Sequence, residues 1–135
     1  MIETYTLKGK IVSGARQAAF FTQLDWVQEQ LEEKFGFRPF PGTLNLEVDG
    51  EFSAVIETLQ KKKLVKLLPP DPEFCIAKTI SATIGGIEGV VIIPEDKVNI
   101  HAANIIEVMA PVKLKEALGV KDGDRLELSI KIPAA

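Results

Sequence analysis

The chain is poor in the residues that build disulfides and metal cages. Among 135 residues there is one cysteine, Cys75, and one histidine, His101. A lone cysteine forms no intramolecular disulfide and no cysteine-based zinc site, and a lone histidine excludes a multi-histidine metal centre. A surplus of positive charge is also missing: 16 basic residues face 19 acidic ones, giving a net charge of −3 and a pI near 5.2. Phosphate neutralisation supplies most of the affinity of nucleic-acid binders, so nucleic acid is not an expected partner. No apolar run approaches the ~20 residues of a membrane span. The longest, such as GVVIIP at 89–94, are strand-sized, and the opening MIETYTLKGK lacks the apolar core of a signal peptide. No membrane partner is expected, and a cytoplasmic, reducing compartment is. Equally absent are the G-x-x-x-x-G-K-[ST] phosphate loop, a nucleophile elbow, a paired-histidine helix and a kinase catalytic loop.

What is present is ordinary globular composition, 46% hydrophobic and 26% charged, with no repeat and no linker. One domain over 1–135 is expected. Tyr5 to Val12 reads as a strand and Ser13-Gly14 breaks it. Leu24, Val27, Leu31 and Phe35 recur at helical spacing, predicting a helix over 22–35 with Thr22 as its cap and Gly36 as its stop. A proline-rich loop then enters a strand near Thr43, and a short helix is expected near 53–61. Strands at 75–84 and 87–93 flank Gly85-Gly86 as a hairpin. A strand over 105–110, a short helix over 111–118 with Pro111 at its first position, and a last strand over 125–132 complete the pattern. Strands do not alternate regularly with helices, so the expected fold is mainly β with a few helices: a small six-stranded barrel.

Three segments are candidates for chemistry. In Pro39 to Leu46, PFPGTLNL, strand alternation turns Leu44 and Leu46 to the core and Thr43 and Asn45 to the other face. Two neutral oxygens side by side suit Mg²⁺ that takes further charge from substrate phosphates, or they merely solvate a strand edge. In Ile105 to Pro111, IIEVMAP, Glu107 is a lone charge in an apolar run, on the face of Ile105 and Met109. Either it is exposed or it faces a polar ligand in a cleft, because burying an unpaired carboxylate costs several kcal/mol. Ser13 to Phe21 lies between a strand and a helix start, where backbone N–H groups can receive phosphate and Arg16 can add a cation. An ordinary loop is the plainer reading. Cys75 reads as a small core hydrophobe, His101 as a surface residue, Trp26 as a half-buried helix residue, and Lys61, Lys62 and Lys63 as a solvated face.

Together these segments resemble the archaeal-type CTP-dependent riboflavin kinase family. GKIVSG at 9–14, GFRPFPGTLNL at 36–46 and IIEVMAPVKLKEALGVKDGD at 105–124 carry the likeness, which spans nearly the whole chain. The resemblance implies a six-stranded cradle-loop β-barrel that transfers the γ-phosphate of CTP to riboflavin, giving FMN and CDP, with Mg²⁺ as cofactor and a monomer expected. It implies Thr43 and Asn45 as metal ligands, with Glu107 as flavin-binding and catalytic residue and Asn99 on the flavin side. It assigns the nucleotide to Gly14, Ala15, Arg16, Gln17, Ala18 and Ala19, and to Lys113, Leu114, Lys115 and Glu116. Lys115 stands where the family has arginine, which keeps the charge but loses the fork geometry. The family's Ser-Gly-x-Gly-Glu-Gly loop appears here as Ser13-Gly14-Ala15-Arg16-Gln17-Ala18. That departure leaves open a non-catalytic relative that binds a flavin, a nucleotide or another small ligand; the acidic pI is compatible as well with a barrel serving as a protein-interaction domain.

Overall fold

The computed structural model describes residues 2–13, 22–52, 55, 64–68, 70, 77–94 and 105–133. Expectations for 14–21, for the helix near 53–61, and for Lys61–Lys63, Cys75, Asn99 and His101 lie outside these residues.

Seven strands follow in chain order: β1 (Ile2–Val12), β2 (Leu44–Val48), β3 (Val65–Leu67), β4 (Ala77–Ile84), β5 (Ile87–Pro94), β6 (Ile105–Met109) and β7 (Arg125–Pro133). Helix α1 (Asp25–Phe35) lies between β1 and β2, and α2 (Leu114–Leu118) between β6 and β7. All pairings are antiparallel, in the order β3-β4-β5-β6-β2-β1-β7. A further pairing of β4 with β7, Ala82↔Ile130 to Ile84↔Leu128, closes six of them into a barrel. The short β3 is the extra strand, pairing with the other end of β4 through Val65↔Thr79 to Leu67↔Ala77. The Gly85-Gly86 hairpin is as expected: both glycines have positive φ, +57° and +82°, the conformation that a two-residue turn between twisted strands requires.

Period-two alternation sorts the side chains into two clusters. Leu7, Ile11, Leu44, Leu46, Val91, Ile106, Val108, Leu128 and Ile130 fill the barrel. On the outer face, Val90, Ile92 and Met109 pack with Val27 and Leu31 of α1 and with Leu67 of β3. Trp26 is half-buried against this outer cluster, as expected. Gly36 ends α1 in the left-handed conformation and donates its N–H to the Glu32 carbonyl at 3.0 Å, also as expected.

Two expectations are corrected. Thr22 does not cap α1: the cap position is Leu24, with no side-chain bond, and the Thr22 hydroxyl instead accepts the Gly42 N–H at 2.7 Å. Pro111 does not begin α2. The chain bends at 111–112, and the helix starts at Leu114 with Lys113 at the cap position. Burial of Leu114 in the barrel core sets that start, because the bend delivers its side chain inward.

Candidate functional site

The strand register brings two of the sequence-predicted residues, Asn45 and Glu107, together. Val12 of β1 lies opposite Asn45 of β2, Asn45 opposite Glu107 of β6, and Glu107 opposite Ile92 of β5. These four residues form one row across adjacent strands, and cross-strand partners share a face. Because Leu44, Leu46, Ile106 and Val108 point into the barrel, Asn45 and Glu107 take the outer face beside α1. Asn45 is 8% exposed, one of few buried polar residues among those described. The row also brings Ser13, the residue after Val12, to the same end of the sheet.

Glu107 is half-buried, and Thr43 donates its hydroxyl to Glu107 Oε1 at 3.2 Å. Burial pushes the Glu107 carboxyl above its ordinary value, and the Thr43 hydrogen bond offsets part of that rise. The carboxylate is therefore partly removed from water, with the Thr43 hydroxyl as a partner among the described residues. Since the Thr43 proton goes to Glu107, the Thr43 oxygen keeps its lone pairs for another partner.

The backbone at Thr43 is fixed from α1. Gly42 has φ +113°, a conformation that L side chains rarely adopt, and its N–H goes to Thr22 Oγ1. Gln28 Nε2 donates to the carbonyls of Thr22, at 2.5 Å, and Pro39, at 3.0 Å. Phe40 N–H donates to the Ala110 carbonyl at 2.7 Å. Thr22, ahead of α1, and Gln28, within it, thus hold the 39–42 loop, and that loop sets where Thr43 stands. Replacing Thr22 with valine keeps the shape and removes the acceptor. Amide exchange at Gly42 is then expected to quicken about tenfold, the value of one ordinary hydrogen bond. NMR-detected hydrogen exchange reads this directly, and an unchanged rate would mean that Thr22 does not hold the loop.

A groove of about 150 Å³ runs from this loop to the start of α2. Phe40, Gly42 and Thr43 line one side, and Val112, Lys113 and Lys115 line the other. Phe40 and Val112 are two of the exposed large apolar residues among those described. Thr43 and the segment 113–115 therefore share one groove although they are far apart in sequence. Leu114 is 5% exposed and its side chain belongs to the barrel core, so only its backbone is left for a ligand. Lys113 Nζ lies 3.7 Å from Glu116 Oε1, and Lys115 Nζ donates to Asp122 Oδ1 at 2.6 Å. Asp122, Thr22 and Gln28 were not legible as site residues, because their partners lie far along the chain or in a loop.

No cluster of three or more His, Cys, Asp or Glu able to hold a metal ion occurs among the described residues. A cation at Thr43 and Asn45 would rest on neutral oxygens and need charge from its ligand. That donor set fits a hard ion such as Mg²⁺ shared with a polyphosphate. No helix of the described residues is long and apolar enough to cross a membrane.

A family model labelled CTP-dep_RFKase, with the description "Domain of unknown function DUF120", matches residues 11–130. Over 136 residues, 96% of this chain, the sequence is 36% identical to a riboflavin kinase of Pyrobaculum arsenaticum, of which it covers 62%. It is 35% identical over 130 residues to a riboflavin kinase of Archaeoglobus fulgidus, covering 94% of this chain and 55% of that one. Against a riboflavin kinase of Ignicoccus hospitalis the figures are 34% over 128 residues, with 93% and 70% covered. The chain spans about three fifths of the length of the first of these relatives.

Proposed function

As the chain belongs to the archaeal-type CTP-dependent riboflavin kinase family, we propose that it phosphorylates riboflavin to FMN, with CTP as the phosphate donor and Mg²⁺ as cofactor. The observation that carries this reading is the convergence of Thr43, Asn45 and Glu107 on one face, beside a groove lined by Lys113 and Lys115.

Phosphoryl transfer asks a protein mainly for positioning and charge neutralisation. The bond from the γ-phosphorus of CTP to its bridging oxygen breaks, a bond to the 5′-oxygen of riboflavin forms, and the hydroxyl proton leaves. Thr43 and Asn45 hold Mg²⁺, which when bound neutralises phosphate charge. Lys113 and Lys115 bring positive charge to the groove, and Glu116 and the 14–19 loop complete the nucleotide side. Glu107, with Asn99, orients the flavin. Its carboxylate is an acceptor for a flavin donor and, in the catalytic role, for the hydroxyl proton.

One sequence observation favours a second reading, a flavin- or nucleotide-binding module without turnover. Arg16 and Ala18 stand in the loop where the family pattern has other residues, two glycines and a glutamate being gone. Glycine allows the close backbone approach to phosphate that larger residues oppose. The two readings separate in one experiment. Protein, riboflavin and Mg²⁺ are mixed with CTP, ATP, GTP or UTP in turn and analysed by chromatography. FMN with CTP supports the kinase, FMN with a different donor corrects the nucleotide, and flavin binding without FMN supports the module.

A further inference from the structure

The Lys121-Asp122-Gly123-Asp124 turn does more than reverse the chain. Its backbone is stitched to the end of β1: Ile11 N–H donates to the Asp124 carbonyl at 2.8 Å, and Gly123 N–H donates to the Ile11 carbonyl at 2.8 Å. Lys121 N–H closes the turn on Asp124 Oδ2 at 2.9 Å. The Asp122 side chain is left to act outside the turn, and both of its oxygens are used. Ser13 Oγ donates to Oδ2 at 2.5 Å, and Lys115 Nζ donates to Oδ1 at 2.6 Å. Lys115 first, then Ser13, hold the carboxyl below its ordinary value, so it is an anion across the neutral range.

Such a bridge is a poor stabiliser. Lys115 and Asp122 are 37% and 45% exposed, and exposed ion pairs contribute little to folding. The turn has its own backbone bonds and does not need this one. What the bridge fixes is geometry. Lys115 lines the groove, and its ammonium has three donors, one of which is spent on Asp122. Ser13 is the residue from which the 14–19 segment departs. One carboxylate therefore ties Ser13, at the end of β1, to Lys115 of α2.

We propose that Asp122 is a positioning residue for the nucleotide, holding the Lys115 ammonium at the groove and linking it to Ser13 at the end of β1. The inference rests on the riboflavin kinase reading above. A lysine held by one donor presents the other two in a restricted arc, so less side-chain freedom is lost when phosphate arrives.

The test is Asp122→Asn, Asp122→Glu, Lys115→Ala and the Asp122→Asn/Lys115→Ala double variant. Each is titrated with CTP and Mg²⁺ by calorimetry and assayed for FMN formation. Asp122→Asn is expected to raise the Kd and KM for CTP about tenfold, the scale of one charge-assisted bond. Its kcat is expected to stay within about twofold, since no reacting atom is touched. Asp122→Glu regains part of the affinity, the melting temperature barely moves, and the double variant is no weaker than Lys115→Ala alone. Unchanged or tighter CTP binding in Asp122→Asn would overturn the proposal, the tighter result meaning that the carboxylate only repels phosphate. Additive losses in the double variant would overturn it as well. If the unaltered protein binds no CTP, the kinase reading and this proposal fall together; if it binds CTP and Asp122→Asn is silent, this proposal alone falls.

Discussion

Replacing Asn45 with alanine is expected to lower Mg²⁺-dependent FMN formation by at least about a hundredfold, equivalent to roughly 2.7 kcal/mol of transition-state stabilisation. Asn45 and Thr43 offer two neutral oxygens, and no acidic cluster stands by to replace them among the described residues. Removing one oxygen from so sparse a set leaves the cation to Thr43, the nucleotide and water. The fold is expected to survive. Asn45 lies on the outer face between Val12 and Glu107, while its neighbours Leu44 and Leu46 continue to fill the barrel. Circular dichroism and a melting curve check the fold, and raising Mg²⁺ over a wide range checks the cause. Partial recovery at high Mg²⁺ supports a metal ligand. Undiminished turnover in folded Asn45→Ala protein would remove the assignment.

Glu107→Gln is expected to move activity and stability in opposite directions. The variant keeps the size of the side chain and one acceptor oxygen, but replaces the other oxygen with an N–H donor and loses the charge. If Glu107 orients the flavin as a carboxylate, the KM for riboflavin rises about ten- to a hundredfold, the range for a hydrogen bond to a charged group. Stability follows from the direction of the carboxyl shift. Burial raises the Glu107 value above 4.5, against a smaller opposing effect from Thr43. A group raised in the folded state contributes its full stability below the unfolded value and loses it as pH rises through the folded value. At neutral pH the ionised carboxylate is therefore a burden that glutamine lacks. In metal-free buffer Glu107→Gln melts higher than the parent at pH 7, and the difference shrinks as pH falls through the folded value toward 4.5. A difference independent of pH would show that burial of the charge is not its source. Loss of function with gain of stability is the pattern of a residue kept for its chemistry.

The features legible in the sequence were those with short-range causes. Alternation over Thr43-Leu44-Asn45-Leu46 told the barrel face from the outer face, and the register then set Asn45 against Glu107. Glu107, the lone charge of its apolar run, is half-buried and accepts the Thr43 hydroxyl. Gly85-Gly86 announced its hairpin because its local conformation demands glycine. Barrel closure was not encoded locally in the same way. β4 pairs with β3 over 77–79 and with β7 over 82–84, and no periodicity in β4 says that one strand edge serves two partners. Thr22 has the composition of a helix cap, but a tertiary donor, the Gly42 N–H, takes its hydroxyl. Pro111 has the composition of a helix start, but burial of Leu114 draws the start inward. Asp122 read as turn chemistry because its partner Ser13 lies 109 residues away. Physical distance along the chain separates what could be read from what could not.

The most direct measurement follows the phosphate itself. The protein is incubated with riboflavin, Mg²⁺ and CTP labelled at the γ-phosphate, and the flavin fraction is collected and counted. The arrangement of Thr43, Asn45, Glu107, Lys113 and Lys115 predicts label in FMN, formed in step with CDP and lost in the Asn45→Ala protein. Quenched riboflavin fluorescence with no label in the flavin fraction, from folded protein and intact CTP, would contradict it and leave a binding module in place of a kinase.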